Sequence, residues 1–314
     1  MKKGDREMPD KKIRFSKALL HPRYALSWIG LLAAALISVL PQKVRHFLGG
    51  LLGSYLYRNN EKRREVVLAN LRQVYPEKSD KQLQVITKSH LKWYGKALLD
   101  YSLFFFGGRR RLRSLVTIDG DEILSELHKH KQPVILLLAH SVMLEFAAIA
   151  LSLKYKSFGS YKSSSNPVLD WMIARSRCRF VDFVVSRDEG LRPLIRAIKR
   201  QRIMIFLPDE DLGLDNAVFA PFFGRLKATL TTPSRITHMS GAKAVAGFVA
   251  FDKTSAKYKL RLHSLPLQYP ENKAEVDAVS LNHVLEKLIL QNPDQYMWLM
   301  KCYRTNAPND ERFY

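Results

Sequence analysis

Short apolar runs that end in polar turns dominate the chain from about residue 115 onwards. Residues 133–138 and 203–207 are continuously apolar, as expected of strands that helices cover on both faces. Further strands are predicted at 181–185, 244–251 and 257–263, and helices at 141–153, 191–200, 231–240 and 281–290. This alternation predicts an α/β domain with a largely buried sheet covered by helices.

A second constraint comes from residues 24–40, which contain no charged side chain and follow a strongly basic start of the chain. As a helix this segment would rise about 25 Å, slightly less than a bilayer core of about 30 Å. Pro41 ends it, and no small-residue cleavage site follows, which argues against a secretory signal peptide. We predict a membrane anchor that spans or re-enters the bilayer; the alternative is a buried core helix.

The region between these two parts is predicted to be helical. Residues 59–100 have the pattern helix, turn, helix, with Ser79 or Asp80 as the N-cap of the second helix. We therefore expect residues 1–42 to form the basic N-terminus and anchor helix, and residues 43–314 to form one domain. That domain would have a helical part at 43–114 and an α/β core at 115–314.

The composition excludes several classes of protein. Apolar residues make up 46% of the chain and charged residues 25%, which rules out wholesale disorder and a polytopic membrane protein. Two cysteines are too few for a disulfide framework. With 51 Lys and Arg against 29 Asp and Glu, the net charge of +22 predicts a polyanionic partner. Nucleic acid, an anionic membrane, a phosphorylated substrate and an acidic protein all fit that charge.

His140 and Glu145 form the first candidate site, because they directly follow the predicted strand at 133–138. On a regular helix their side chains would point about 140° apart. If His140 lies in the turn before the helix, however, Glu145 in the first turn can reach back to the imidazole. A carboxylate there would fix the tautomer and leave the other nitrogen to accept a hydroxyl proton. The alternative is a helix-capping histidine and an ordinary first-turn acid.

A second polar cluster follows the strand at 203–207, where Asp209, Glu210 and Asp211 come together in one turn. Three acids at a strand end indicate metal binding or substrate positioning, although a solvated acidic turn is equally compatible. We find no GxGxxG, phosphate-binding loop, nucleophile elbow or HExxH motif. Nucleotide-dependent enzymes, serine hydrolases with a nucleophile elbow and zincins therefore lose support.

Taken in order, these motifs resemble the late acyltransferases of lipid A biosynthesis, the lauroyl and myristoyl acyltransferases of Gram-negative bacteria. The resemblance covers almost the whole chain. It rests on residues 19–24, Arg63-Arg64, Asn70-Leu71, Tyr75-Pro76, His140-x4-Glu145, and residues 161–171, 208–213 and 293–298.

The resemblance implies a glycerolipid-acyltransferase-like α/β fold and a catalytic pair of His140 and Glu145. It also points to Arg177 as a catalytic residue, and to Asp209 and Arg187 as substrate-binding residues. Ser186 stands before Arg187, where relatives often carry an acid, so the chain departs from the family pattern at this point. No metal or cofactor is expected, because a thioester donor is already activated.

The implied reaction is acyl transfer from acyl carrier protein to a hydroxyl on an acyl chain of a lipid A precursor. The place is the cytoplasmic face of the inner membrane, and the +22 charge would then serve anionic membrane lipids, the phosphorylated acceptor and the acidic carrier. Arg109 to Arg113 are candidates for the carrier or membrane contact. Three alternatives remain: an acyltransferase for another glycolipid or a lysophospholipid, a nucleic-acid-binding protein (no recognition motif supports it), and a non-catalytic membrane scaffold.

Overall fold

A computed structural model describes residues 15–161, 164–186, 191–308 and 310–314. The first third of this chain is helical, and the remainder alternates strands with helices. The helices of the first third are α1 Ala25–Val39, α2 Gln42–Asn59, α3 Glu61–Val74, α4 Asp80–Phe106 and α5 Arg109–Ser114. The long α4 begins at a capping box in which Ser79 and Gln82 bond each other's backbone, as the predicted N-cap required.

The α/β part contains nine strands among the described residues, and most of the predicted elements are confirmed. Its elements are β1 Val116–Asp119, α6 Asp121–Lys129, β2 Val134–Leu138, α7 Glu145–Leu151, β3 Ser157–Tyr161, α8 Pro167–Arg177, β4 Phe183–Ser186, α9 Leu191–Lys199, β5 Ile203–Phe206, β6 Ala217–Phe222, β7 Arg225–Leu230, α10 Thr232–Ser240, β8 Lys243–Asp252, β9 Lys257–Ser264 and α11 Ala274–Leu290. The predicted helix 141–153 is shorter than expected, because α7 begins only at Glu145.

The main sheet has the strand order β1-β9-β8-β2-β5-β3-β4, and β6 and β7 form a separate antiparallel hairpin. All neighbours in the main sheet are parallel except β8 and β9. Strand β2 is buried at every position, which explains its uninterrupted apolar sequence. Apolar clusters cover the two faces of the sheet, so the prediction of a buried α/β sheet is correct.

The helical part is fastened to the sheet by close packing and by one buried ion pair. Helices α2 and α4 approach so closely that a Cβ on Gly53 would lie 2.2 Å from the Leu91 carbonyl oxygen, so only glycine fits there. The Arg45 Nε donates to Asp100 Oδ1 at 2.8 Å, and the Tyr258 hydroxyl of β9 donates to Asp100 Oδ2 at 2.6 Å. Burial, and then the charge of Asp100, raises the pKa of Tyr258. This network links α2, α4 and the sheet.

Helix α1 lies on the outside of this body. Residues 22–39 are the one segment, within the described ranges, that is long and apolar enough to cross a membrane by length and composition. Only a small part of that segment is buried, so a core helix is the wrong description of it. Its exposed side chains form a stripe at helical spacing: Leu26, Ile29, Leu32, Leu36 and Val39.

Candidate active site

The site lies where two neighbouring parallel strands end. In the sheet, β2 and β5 are adjacent, and Leu137 of β2 pairs with Phe206 of β5. The chain therefore leaves both strands at the same edge, which brings His140 close to Asp209 although 69 residues separate them. This is the edge at which open α/β sheets bind their ligands.

His140 and Asp209 make two hydrogen bonds with each other. The backbone N–H of His140 donates to Asp209 Oδ2 at 2.7 Å, and His140 Nδ1 lies 2.7 Å from Asp209 Oδ1. The Asp209 side chain is 1% exposed, whereas the His140 side chain is 17% exposed. Burial raises the pKa of Asp209, but the charge and hydrogen bonds of His140 and the charge of Lys227 outweigh it, so the pKa lies below its ordinary value. Asp209 is therefore an anionic partner for the imidazole.

Glu145 has a different neighbour from the one that its spacing predicts. Arg177 at the end of α8 donates from Nε to both carboxylate oxygens of Glu145 at 3.1 Å, and from Nη2 to Oε1. The His-x4-Glu spacing predicts that Glu145 holds one imidazole nitrogen, but the carboxylate found at Nδ1 is that of Asp209. The reason is tertiary: the turn at 141–144 places Glu145 beside α8, and the strand order places Asp209 beside His140.

The turn that carries His140 is held from two sides. The Met297 N–H donates to the His140 carbonyl oxygen at 2.9 Å, and the Val142 N–H donates to the Gln295 carbonyl oxygen at 3.0 Å. The Tyr101 hydroxyl of α4 donates to the Val142 carbonyl oxygen at 2.9 Å. These bonds satisfy the backbone of a buried loop and fix the position of the imidazole.

The acids of the 209–211 turn have separate structural tasks. Asp211 accepts hydrogen bonds from the backbone N–H and the hydroxyl of Thr305, both at 2.7 Å, and so ties this turn to the C-terminal segment. Within the described ranges no group of three or more histidine, cysteine or acidic side chains is arranged to hold a metal ion.

Arg187, the predicted substrate-binding residue, falls outside the described residues.

Sequence reasoning missed a buried lysine behind Asp209. Lys227 lies on β7 and is completely buried, and its Nζ has no hydrogen-bond partner among the described residues. Burial lowers the pKa of Lys227, while the negative charge of Asp209 is the strongest influence that raises it. The buried Tyr296 adjoins the same group, and burial followed by the charge of Asp209 raises the pKa of its hydroxyl. In the sequence, the available signal was a lysine flanked by the apolar Leu226 and Ala228.

A small cavity of about 70 Å³ opens beside the Glu145–Arg177 pair. Apart from these two side chains its wall is apolar and comes from the ends of β2 and β5, from α7, and from β3 and β4. The wall residues are Leu138, Leu144, Ala147, Ala148, Gly159, Val181, Val184, Ile205 and Leu207. An ion pair at the end of an apolar slot is suited to a substrate that joins an alkyl chain to a polar head.

The sequence of this chain is similar to that of known proteins over nearly its full length. Residues 12–305 match the family described as bacterial lipid A biosynthesis acyltransferase. This chain belongs to that family. The resemblance predicted from the sequence motifs is thereby confirmed, and the family makes the chain an acyltransferase.

Individual relatives show how evenly the likeness is spread. The chain is 31% identical over 294 residues to the lipid A biosynthesis lauroyltransferase of Escherichia coli K12, covering 93% of this chain and 95% of the relative. It is 26% identical over 297 residues to the myristoyltransferase of the same organism, covering 94% and 92%. It is also 26% identical over 302 residues to the palmitoleoyltransferase, covering 96% and 98%. These relatives differ in acyl chain, so membership of the family leaves the chain length open.

Proposed function

We propose that this acyltransferase moves an acyl chain from acyl carrier protein to a hydroxyl on an acyl chain of a lipid A precursor of the Kdo2-lipid IVA type. The product is a secondary acyloxyacyl ester for outer-membrane lipopolysaccharide or lipooligosaccharide. The observation that carries the proposal is the His140–Asp209 pair at the carboxyl ends of β2 and β5. The family membership and the names of the relatives support the choice of acceptor.

In the first step His140 acts as the general base. Because Asp209 holds Nδ1, the basic nitrogen is Nε2, which takes the proton of the acceptor hydroxyl. The hydroxyl oxygen attacks the thioester carbonyl and forms a tetrahedral intermediate. Asp209 stays ionised and stabilises the imidazolium that results.

In the second step the intermediate collapses. The carbon–sulfur bond breaks, the ester carbonyl reforms, and the imidazolium returns its proton to the thiolate of the carrier. We assign the stabilisation of the oxyanion to Arg177, whose guanidinium Glu145 orients by hydrogen bonds to Nε and Nη2. The reaction consumes no cofactor, since the thioester supplies the leaving group.

We also propose that the protein works on the cytoplasmic face of the inner membrane, held there by α1 and α2. The outer stripe of α1 is exposed, and so are the apolar side chains Phe47 and Leu51 of α2. Asn166 donates to the Ser27 hydroxyl at 2.8 Å near one end of α1, and Arg111 donates to the Ser38 carbonyl oxygen at 2.7 Å near the other. Because both ends contact the body of the protein, we favour a helix that lies in one leaflet over one that spans.

The test is an assay with purified protein, acyl carrier proteins loaded with chains of several lengths, and Kdo2-lipid IVA, with products weighed by mass spectrometry. We expect a product heavier by one acyl group, and its loss in His140→Ala. His130→Ala is the matched control, because His130 also pairs with a carboxylate, Glu126, but on the surface. Product from a lysophospholipid and none from the lipid A precursor would favour the alternative acyltransferase, and turnover in His140→Ala would remove the catalytic assignment.

A further inference from the structure

A groove of about 830 Å³ lies between α1, α4 and α8, away from the residues assigned to acyl transfer. Ligand pockets usually measure roughly 300–1,000 Å³, so this groove is large enough to hold a sizeable ligand. Its walls are mainly apolar, with Trp28, Leu31 and Ala35 from α1, Phe105 from α4, and Trp171 and Met172 from α8. The rings of Trp28 and Trp171 lie 6.0 Å apart and contribute a rigid aromatic wall.

Three arginines gather at this groove without a carboxylate to balance them. Arg175 and Arg179 line it, and Arg109 of α5 is close enough to repel Arg179. Burial, followed by the positive charges of Arg109 and Arg175, lowers the pKa of Arg179. Across the described ranges no acidic side chain forms a salt bridge with any of the three. Arg109 and Arg175 are therefore available to an external anion, while the guanidinium of Arg179 donates to carbonyl oxygens at the end of α4, including that of Gly107.

Arg179 shows that this cluster is built into the fold. Its Nη1 donates to the carbonyl oxygens of Phe104 and Phe105, both at 3.1 Å, at the end of α4. The cation is thereby fixed beside the apolar wall. Arg175 in contrast is exposed and lies over the Trp171 ring, 5.7 Å from its centroid, so its guanidinium can turn to an incoming ligand.

The groove is separate from the catalytic edge because they use opposite faces of α8. Trp171 and Arg175 are four residues apart and lie on one face of the helix. Arg177 follows Arg175 by two residues, about 200° further round the helix, and pairs with Glu145. A chain held in the groove would therefore not present its hydroxyl to His140.

We propose that the groove between α1, α4 and α8 binds one anionic phospholipid of the bilayer, with an acyl chain along the apolar wall and its phosphate at Arg109, Arg175 and Arg179. The exposed stripe of α1 adjoins the groove, since Leu32 belongs to both, and it places the groove at the level of a leaflet, where such lipids are the abundant anionic amphiphiles. Guanidinium groups bind phosphate through paired hydrogen bonds. The inference goes beyond acyl transfer and does not require that activity.

The experiment is native mass spectrometry of the full chain taken from bilayers of equal parts phosphatidylglycerol and phosphatidylcholine. We expect one retained phosphatidylglycerol in preference to phosphatidylcholine. The double variant Arg109→Gln, Arg175→Gln should retain it about 25-fold less, since the attraction of each basic side chain to an anionic lipid surface is worth about fivefold. Arg110→Gln, the neighbouring exposed arginine, is the control and should retain it fully.

A second pair of variants tests the apolar wall. Ala35→Phe fills the groove and should displace the lipid, whereas Ala33→Phe makes the same change on the exposed side of α1 and should not. Equal retention of the two phospholipids by the wild-type protein, or equal behaviour of the two phenylalanine variants, would overturn the proposal. So would displacement of phosphatidylglycerol by equimolar lipid A precursor, because the groove would then belong to the acceptor.

The wild-type protein supplies an independent measurement in case a variant does not fold. Phosphatidylglycerol brominated on its acyl chains should quench the fluorescence of Trp28 and Trp171 in the intact chain more strongly than brominated phosphatidylcholine at the same density. Trp171→Phe should lose part of that difference. Equal quenching by the two lipids would again overturn the proposal, whatever the acyltransferase assay shows.

Discussion

The sheet edge and the α1–α4–α8 groove differ in whether their charged side chains are paired within the chain. At the edge, Asp209 is bonded to His140, and Glu145 to Arg177, and both pairs are largely withdrawn from solvent. At the groove, three arginines stand beside an apolar wall and form no salt bridge within the described residues. The pairs at the edge hold their side chains in fixed positions, whereas Arg109 and Arg175 at the groove can turn towards an anion from outside. Asp209→Asn and Arg177→Met test the paired side of this contrast, His90→Asn and Lys227→Met test buried groups whose nitrogen has no hydrogen-bond partner among the described residues, and the lipid experiments test the groove.

The largest effect is expected from Asp209→Asn. The amide keeps the shape but removes the negative charge behind the imidazole and favours the wrong tautomer, so kcat should fall by about 10⁴. Glu126→Gln is the matched control, because it makes the same change beside the exposed His130 and should leave kcat unaltered. The measurement is kcat of both variants with acyl-loaded acyl carrier protein and Kdo2-lipid IVA. Near wild-type turnover of Asp209→Asn, with folding intact by circular dichroism, would contradict the pairing as a catalytic device.

Arg177→Met should have the next largest effect. Loss of one donor to an oxyanion typically lowers kcat by about 10²–10³. Here the substitution also leaves the mostly buried carboxylate of Glu145 without its Arg177 partner. Arg202→Met is the control, since Arg202 pairs with Asp182 through Nε at 2.7 Å but on a more solvated part of the same region. A rise in KM with kcat unchanged would show that Arg177 binds substrate and does not stabilise the transition state.

His90 shows what burial does to a group that lacks a charged partner in direct contact. It is fully buried, its Nε2 has no hydrogen-bond partner among the described residues, and burial lowers its pKa from 6.5 to about 4. Between pH 4 and pH 6.5, His90 is therefore protonated in the unfolded chain but neutral in the folded chain. The contribution of His90 to the free energy of unfolding, about 3 kcal/mol, is therefore fully present above pH 6.5 and is lost as the pH falls towards 4.

His90→Asn removes the titrating group while keeping an N–H near the Asp294 carbonyl oxygen. Urea unfolding at pH 7.5 and pH 4.5 should show that the variant loses less stability on acidification than the wild type does. Parallel losses in the two proteins would mean that His90 is charged in the folded state, and that buried groups here keep charge without a partner.

The smallest effect is expected from Lys227→Met, which removes the cation behind Asp209. Without it the negative charge of Asp209 acts more strongly on His140 and stabilises the imidazolium, so the acid limb of the pH–rate profile should move to higher pH. Lys227→Arg should restore the profile. An unchanged acid limb together with a lower melting temperature would reduce Lys227 to a structural role.

Most elements could be predicted from periodicity, because an element's pattern depends on residues close in sequence. The strands at 133–138 and 203–207 are observed within one residue, and the capping box at Ser79 begins α4 as its local sequence requires. The β6–β7 hairpin was not predicted, because Pro221 stands inside the apolar run at 217–223 and Lys227 stands inside the strand that follows. The helix after His140 was placed too early, because Ser141 bonds the Met143 N–H in a turn that resembles a helix start.

The sequence by itself determined that His140 stands at the end of a buried strand and that acids follow the strand at 203–207. It also determined that the N-terminal helix is apolar enough for a membrane. Only the tertiary structure decided which carboxylate pairs with His140 and which with Arg177. That choice depends on the adjacency of β2 and β5 and on the contact between the end of α8 and the start of α7. These contacts join residues tens of positions apart, and no local pattern records them.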